Sequence, residues 1–319
     1  MDNRITKKRL SQLLSYDLWK IIALIVAGIF VWSLLFTTLG ARLSEGQQLN
    51  IYAYNVKVTE QGQMDDLIDV EKDNGAYYSY EVYATRFYSF GDFSASNTMV
   101  SQQITAWSSV GQLDVMFISD TGEEIKSTDK DGKETFASLF DRYSYYFYDL
   151  DKLATDAISY CKLNGNMTDD GTFDEDAIIN FFNVRKKSDN FYRHGMIKAE
   201  QEIDRFEKIR DNAFTLRAWL NDPELSTIWK ISEFENGDEK VTMKTGIKLD
   251  DLDALCGSNP TTGKKLANLC TMGGTSETGE GATVGKVVLS VFNNSSYQAD
   301  LVYESLAFLV KTVKTYTSL

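Results

Sequence analysis

An uncharged run of nineteen residues near the start of the chain constrains the fold more than any other feature. It extends from Ile21 to Leu39 and reads IIALIVAGIFVWSLLFTTL. At about 1.5 Å of rise per residue, a helix of this length spans the roughly 30 Å hydrocarbon core of a bilayer. The sequence therefore predicts one transmembrane helix at residues 21–39, followed by a large domain held at a membrane surface.

The charges on the two sides of this run predict its orientation. Five basic residues precede it, whereas only one, Arg42, follows it closely. Basic residues beside a transmembrane helix stay on the cytoplasmic side. We therefore expect a single-pass protein of the cell membrane, with residues 1–20 in the cytoplasm and residues 43–319 on the extracellular side.

Two other interpretations of the run stay open at this level. A basic start followed by an apolar stretch is also typical of a cleaved signal peptide, although this stretch exceeds the usual length of roughly 7–15 residues. Thr38-Leu39-Gly40 is a poor match to a cleavage site, although cleavage there is conceivable. The run could also be a buried helix of a soluble core, but the sequence contains no comparable apolar partner helix.

Composition limits the classes of partner. The formal net charge is −13, and most of it lies after the apolar run. An acidic surface of this kind repels nucleic acid and anionic lipid head groups, so neither is expected to bind the outer domain. That part of the chain is long enough for one large domain or two lobes, and its composition predicts a compact fold.

The order of the predicted elements indicates the α/β class. Residues 49–58 are typical of a strand covered on both faces, and residues 77–90 of one long strand or two. A capped helix then ends at Gly111, and a nearly all-apolar strand follows at 113–118. A strand, a helix and a buried strand in succession predict a βαβ unit and a parallel sheet.

Later segments extend this pattern. A long amphipathic helix is predicted at 190–220, with its apolar side against the core. A strand at 284–292 and a helix at 297–316 form another strand–loop–helix unit. The acidic segments 121–134 and 168–174 begin like calcium loops but lack the required glutamate, so we interpret them as a hairpin tip and a helix start. No metal site is predicted.

Two of the three cysteines are candidates for a disulfide. Cys256 and Cys270 bracket a loop rich in glycine, serine, threonine and asparagine. A bridge between them would stabilise the fold by about 3 kcal/mol on the loop-entropy model. Two unpaired thiols are the alternative. Cys161 would remain as a small buried apolar side chain.

The sequence favours a non-catalytic protein without a cofactor. The only histidine is His194, whereas a histidine-ligated metal site needs several. The chain has no Gly-x-Ser-x-Gly elbow. The glycine-rich stretch at 273–285 lacks the Lys-Ser/Thr pair of a phosphate loop. No spacing distinguishes a catalytic pair among the many carboxylates.

Several short motifs follow one another in a familiar order. Gly111 to Ser119 reads GQLDVMFIS and follows a capped helix; Phe136-Ala-Ser-Leu139 and Asp149-Leu-Asp151 come next. This order resembles the first lobe of type 2 periplasmic solute-binding proteins, in which the first motif marks the third strand. The strand and helix within 287–313 resemble the part where the chain returns to that lobe. The resemblance covers about residues 47–155 and 284–316.

The resemblance implies a two-lobed α/β domain behind a short linker at 40–48. Residues 49–155 and 284–319 would form the first lobe. Residues 156–283 would form a second, largely helical lobe with an irregular glycine-rich end. Ligands of open α/β sheets bind beyond the carboxyl ends of the strands. Applied to this chain, the rule predicts the candidate ligand-binding residues Tyr54, Asn55, Ser89, Phe90, Phe93, Ser119, Asp120 and Asn293. The alternative for each is a structural role: packing within the lobe for the tyrosine and the phenylalanines, and turn formation for Asp120 and Asn293.

The expected function is that of a membrane-tethered, solute-binding-like protein, acting as a small-solute receptor or a transport accessory. It resembles single-span, outward-facing proteins of Gram-positive bacteria built on this fold. The chain departs from transport-binding proteins because it has no lipid-anchor cysteine near the apolar run. A transmembrane tether would restrict its movement. The alternative function is a structural or assembly subunit that acts through protein–protein contacts in a membrane complex.

Overall fold

The computed structural model describes most of the chain after residue 47. The described residues are 48–69, 73, 76–77, 84–90, 98–120, 125–128, 134–188, 198–236, 239–272, 286–293 and 301–319, preceded by 7, 11, 19–20 and 22–33. Contacts divide the chain into two compact units, Met1–Ser44 and Glu45–Leu319.

In the first unit, residues 22–33 are helical and all of them are exposed. Leu24 is 75% exposed and Trp32 is 66% exposed. Within the ranges that the structure describes, no helix is both long enough and apolar enough to cross a membrane. The helical segment 22–33 is part of the predicted span at 21–39, and residues 21 and 34–39 lie outside the described residues.

The second unit is a mixed α/β fold, which confirms the predicted class. Its strands are β1 (Gln48–Tyr54), β2 (Val56–Val58), β3 (Ala84–Phe90), β4 (Val115–Ser119), β5 (Ile125–Thr128), β6 (Glu134–Ala137), β7 (Trp229–Asn236), β8 (Glu239–Lys248), β9 (Cys270–Met272) and β10 (Val287–Val291). Its helices are α1 (Gln61–Ile68), α2 (Thr98–Ser109), α3 (Leu139–Tyr143), α4 (Leu150–Lys162), α5 (Glu175–Ser188), α6 (Ala199–Asn221), α7 (Leu249–Cys256), α8 (Leu266–Leu269) and α9 (Leu301–Tyr316).

Six strands form one mixed sheet in the order β3-β1-β4-β10-β8-β7. β1 pairs in parallel with both β3 and β4, so α2 belongs to the predicted βαβ crossover. β10 runs antiparallel to β4 and to β8, and β7 and β8 form an antiparallel hairpin. The parallel arrangement predicted for the sheet is therefore restricted to β3, β1 and β4 on one side of β10.

The two faces of β1 contact different helices. Leu49, Ile51 and Ala53 belong to the larger hydrophobic cluster, which includes side chains of α4, α6 and α9. Tyr52 and Tyr54 belong to a smaller cluster with side chains of α2 and α3. Successive side chains of a strand point to opposite faces, so this division follows from the alternation along β1. The prediction of a strand covered on both faces is confirmed.

Residues 156–283, predicted as a second lobe, contribute to the same sheet and the same core. They supply β7 and β8 to the six-stranded sheet. Ile209 and Leu216 of α6 lie in one hydrophobic cluster with Ile51 of β1. The long helix begins at Ala199, whereas the first part of its predicted range falls in 189–197, outside the described residues. Contacts accordingly group this segment with the rest of Glu45–Leu319.

Turn residues mark the predicted boundaries. α2 ends at Ser109, and Gly111 follows with a φ of +70°, a conformation that glycine adopts without steric cost. The acidic segment 168–174 leads directly into α5, which confirms a helix start there. β5 and β6 pair as an antiparallel hairpin in the other acidic segment. Its tip at 129–133 lies outside the described residues.

Gly246 permits the close approach of β8 to β10. A Cβ atom at this position would overlap the Oγ of Ser290, lie 2.5 Å from the Cγ1 of Val288 and lie 2.9 Å from the backbone oxygen of Leu289. Gly246→Ala is therefore expected to lower the free energy of unfolding by roughly 1–3 kcal/mol, because extra atoms in a filled core force neighbours apart. Urea unfolding of the full chain measures this loss.

Gly62→Ala is the matched control for this substitution. A Cβ at Gly62, within α1, meets nothing within 4 Å. Alanine is favoured over glycine inside a helix by roughly 0.5–1 kcal/mol, so this variant should be as stable as the parent or more stable. Equal urea midpoints for Gly246→Ala and Gly62→Ala would contradict the close approach.

Candidate functional site

Three of the predicted ligand-binding residues meet at the carboxyl ends of β1 and β4, but all three are buried. Tyr54, Asn55 and Ser119 are 1%, 1% and 0% exposed. The Tyr54 ring lies 5.8 Å from the ring of Tyr143 in α3, which covers this edge. Asn55 has a φ of +53° in the turn between β1 and β2. These side chains therefore present little surface to a dissolved ligand.

Asp120 lies beside them and connects three elements. Its Oδ1 is 2.6 Å from the Nζ of Lys230 in β7 and accepts a hydrogen bond of 3.1 Å from the Oγ of Ser138. The Lys230 Nζ also lies 3.4 Å from Asp141 and 5.1 Å from the centre of the Phe140 ring. Asp120 thus joins the end of β4 to β7 and to the start of α3.

The other predicted ligand-binding residues do not complete this site. Phe90 is opposite Tyr54 in the β1–β3 register, but the side chains of Ser89 and Phe90 are outside the described part, as is Phe93 altogether. Asn293 lies at the opposite end of the strands, at the amino end of β4. There its backbone N–H donates to the carbonyl oxygen of Tyr146 at 2.8 Å. Because β10 is antiparallel to β4, the rule for carboxyl ends does not bring Asn293 to the predicted edge.

The three cysteines are free thiols in the structure, so the predicted Cys256–Cys270 disulfide is not formed in it. Cys270 is buried in β9, whereas Cys256 is the half-buried last residue of α7. Burial raises the pKa of the Cys256 and Cys270 thiols and raises that of Cys161 to about 12. All three thiols are therefore protonated and weakly nucleophilic near neutral pH.

A small pocket opens on the face of the sheet that carries Tyr52 and Tyr54, near the amino ends of β1 and β4. Its cavity volume is about 100 Å³. In the β1–β3 register Asn50 is opposite Arg86, and Tyr52 is opposite Tyr88, so these side chains share one face. The full lining is Gln48, Asn50, Tyr52, Arg86, Tyr88, Trp107, Gly111 and Gln112.

Three aromatic rings form one wall of this aromatic pocket. The rings of Tyr52 and Tyr88 are stacked, with centroids 5.1 Å apart and planes at 13°. The ring of Trp107, from α2, lies 5.3 Å from Tyr52 and 5.8 Å from Tyr88. The Tyr52 hydroxyl donates to the carbonyl oxygen of Gln112 at 3.0 Å, and burial raises its pKa. The wall is therefore uncharged and fixed by ring packing.

Asp114 lies fully buried behind this wall and holds Asn50 in place. Its Oδ2 accepts hydrogen bonds from the backbone N and the Nδ2 of Asn50, at 2.7 and 3.1 Å. Burial raises the pKa of Asp114 to about 7, although the two hydrogen bonds from Asn50 favour the charged form. The conformation of Asn50, which lines the aromatic pocket, thus depends on a buried carboxyl group.

No protein-family profile, curated protein or solved structure matches this chain. A site is therefore assigned from geometry alone. Among the described residues, no group of three or more His, Cys, Asp and Glu side chains is placed to hold a metal ion. The aromatic pocket is the described feature that combines a cavity, accessible rings and polar side chains.

Sequence reasoning missed the aromatic pocket, although a signal for it is present. Gln48, Asn50 and Tyr52 alternate with the apolar side of β1, and Arg86 and Tyr88 alternate in the same way in β3. Polar and aromatic side chains on one face of paired strands indicate that apolar core side chains cover only part of that face. The register that brings Asn50 beside Arg86 was not evident from the sequence.

Proposed function

We propose that the chain is a membrane-tethered, non-catalytic protein whose outer domain binds a small solute in the aromatic pocket. The observation that carries this proposal is the cavity of about 100 Å³ lined by three aromatic and four hydrogen-bonding side chains. A water molecule occupies roughly 30 Å³ in the liquid, so this cavity holds the space of about three waters. A small solute, or the end group of a larger one, fits that volume.

The membrane tether is supported by the apolar run and its exposed helical part. Large apolar side chains of 22–33, including Leu24, Phe30 and Trp32, are mostly exposed. Removing such surface from water favours insertion by roughly 25 cal/mol per Å².

We expect the protein to stay in membranes at alkaline pH. We also expect residues 43–319 to be cut by protease added to intact cells. Release at alkaline pH would contradict the tether.

The likeness to a solute-binding fold is supported by the position of the last strand and helix. The resemblance implies that the chain returns near its end to the first lobe. β10 pairs with β4 in the sheet that contains β1, and α9 shares the larger hydrophobic cluster with β1. Residues 156–283 also supply strands to this sheet. The likeness is therefore proposed for the sheet and not for a separate second lobe.

A ligand screen on the full-length protein in detergent micelles tests solute binding. Sugars, amino acids, small carboxylates and peptides are added, and the melting temperature is measured. A solute at 100 times its Kd stabilises the folded state by about 2.7 kcal/mol, which raises the melting temperature by several degrees. The shift should disappear in Trp107→Ala and persist in Tyr145→Ala, which removes an exposed aromatic ring outside the pocket.

Two outcomes contradict solute binding in the pocket. In one, no solute raises the melting temperature of the parent protein. In the other, the shift is the same in the parent and in Trp107→Ala, so that the solute binds elsewhere.

A structural or assembly subunit is the second candidate function. The burial of Tyr54, Asn55 and Ser119 favours it, because the edge predicted to bind a ligand is filled by the protein itself. If the protein has this function, a partner protein should copurify with it in fixed proportion from native membranes in mild detergent. The partner should be retained by Trp107→Ala, whereas a monomeric preparation would contradict this candidate.

A further inference from the structure

We infer that the aromatic pocket selects small solutes with a carboxylate group, and that Arg86 recognises this group. The inference rests on the proposed solute binding and names the ligand class for the same pocket. It depends on the charge state and surroundings of Arg86, on the aromatic wall beside it, and on the cavity volume.

Arg86 is exposed in β3 and lines the aromatic pocket. Within the described residues its guanidinium has no ion-pair or hydrogen-bond partner, although its charge acts on the nearby Tyr52 hydroxyl. Some other basic side chains of the domain do form ion pairs, for example Arg205 with Glu202 and Lys230 with Asp120. Although the chain has a net charge of −13, this guanidinium provides a local positive charge that attracts an anion.

The guanidinium suits a carboxylate for geometric reasons. Its planar fork of N–H donors matches the two carboxylate oxygens and forms two parallel hydrogen bonds. The half-buried rings of Tyr88 and Trp107 lie beside Arg86 in the lining and offer apolar contact to the rest of the solute. The arrangement therefore suits a charged end group attached to a short apolar or planar body.

The charge of the Asp114 carboxyl group acts on Tyr52 of this wall. Burial raises its pKa to about 7, so much of it is neutral near neutral pH. Its Oδ2 is also covered by the two hydrogen bonds from Asn50. Asp114 therefore repels a bound anion less strongly than a fully ionised carboxylate would.

Two pairs of probes of equal shape test the charge requirement: propionate against propionamide, and benzoate against benzamide. Each is titrated into the full-length protein in micelles, and the indole N–H signal of Trp107 is followed by NMR. Trp107→Phe identifies that signal. A hydrogen bond to a charged group contributes about 1.5–3 kcal/mol, so each carboxylate should bind at least about tenfold more tightly than its amide.

Arg86→Gln should abolish the preference for carboxylates and leave amide binding nearly unchanged, whereas Arg86→Lys should retain part of the preference. Arg217→Gln, which removes an exposed arginine of α6, is the matched control and should behave like the parent. Exposed substitutions change stability little, so unfolding midpoints of these variants should agree with that of the parent.

The outcomes separate this inference from the proposed function. If amides bind as tightly as carboxylates, or if Arg86→Gln keeps the preference, the pocket binds solutes but the role of Arg86 is wrong. If none of the four probes moves the Trp107 signal, the inference is overturned; solute binding in the pocket is overturned as well only if the wider ligand screen also finds no solute.

Discussion

Glu202→Ala is expected to lower the free energy of unfolding by about 3–5 kcal/mol, because it leaves a buried arginine without its carboxylate. Glu202 and Arg205 of α6 are 0% and 1% exposed. The Arg205 Nη2 lies 3.0 Å from Oε1 of Glu202, and its Nε lies 3.2 Å from Oε2. The two side chains form two hydrogen bonds and are excluded from water. Water therefore cannot replace the lost carboxylate as a partner of the Arg205 guanidinium.

This ion pair also connects three helices. The Arg205 Nη2 donates to the Tyr160 hydroxyl of α4 at 2.6 Å, and the Arg185 Nη1 of α5 lies 3.7 Å from Glu202. The Arg205 guanidinium lies 5.3 Å from the centre of the Phe206 ring. Removing the carboxylate therefore disturbs the contacts of α4 and α5 with α6, beyond one ion pair.

Urea unfolding at neutral pH measures the effect of Glu202→Ala. Glu207→Ala is the matched control, since Glu207 is exposed on the same helix, and it should change stability by no more than about 0.5 kcal/mol. A double variant, Glu202→Leu with Arg205→Met, should be more stable than Glu202→Ala because it removes both charges. Equal midpoints for Glu202→Ala and Glu207→Ala would show that the pair is not buried as described.

Local patterns were sufficient to predict the elements around α2. Apolar spacing and Gly111 predict the helix and its end, and the apolar run that follows predicts β4. The two-sided burial of β1 is also readable, because both of its alternating sets carry apolar residues. Each of these inferences depends on residues close in sequence.

Non-local pairing was not readable from the sequence. Nothing within β10 itself indicates that it runs antiparallel to β4, and this direction moves Asn293 to the opposite end of the strands. The pairing of Leu289 with Ile247 likewise joins the middle segment to the first sheet. The packing of Tyr143 over Tyr54, which closes the predicted edge, also joins residues far apart in the chain.

The aromatic pocket depends on the same kind of information. Its side chains come from β1, β3 and the end of α2, and the parallel register places Tyr52 beside Tyr88. The composition of each strand alone gives no register, because parallel strands are joined by long crossovers rather than by tight turns. The transmembrane helix at 21–39 and the extracellular position of residues 43–319 stay predictions.

Asp114→Asn is expected to change how stability depends on pH. Burial raises the pKa of Asp114 from its usual value of 3.8 to about 7 in the folded protein. Between these values the folded chain binds a proton that the unfolded chain has released. The stabilisation from Asp114 is therefore complete below about pH 4, decreases as the pH rises, and is lost as the pH passes through about 7. At about 1.36 kcal/mol per pKa unit, the loss is at most about 4 kcal/mol.

Urea unfolding of the parent and of Asp114→Asn at pH 5, 6, 7 and 8 measures this linkage. The amide keeps an oxygen that can accept the hydrogen bonds from Asn50 and has no proton to release, so the variant should gain stability relative to the parent as the pH rises. Asp176→Asn, which replaces an exposed acid at the start of α5, is the matched control. Its stability should follow that of the parent at every pH. If Asp114→Asn also follows the parent across this range, Asp114 is already ionised in the folded protein at pH 5. In that case the buried carboxylate would need a solvating group besides Asn50.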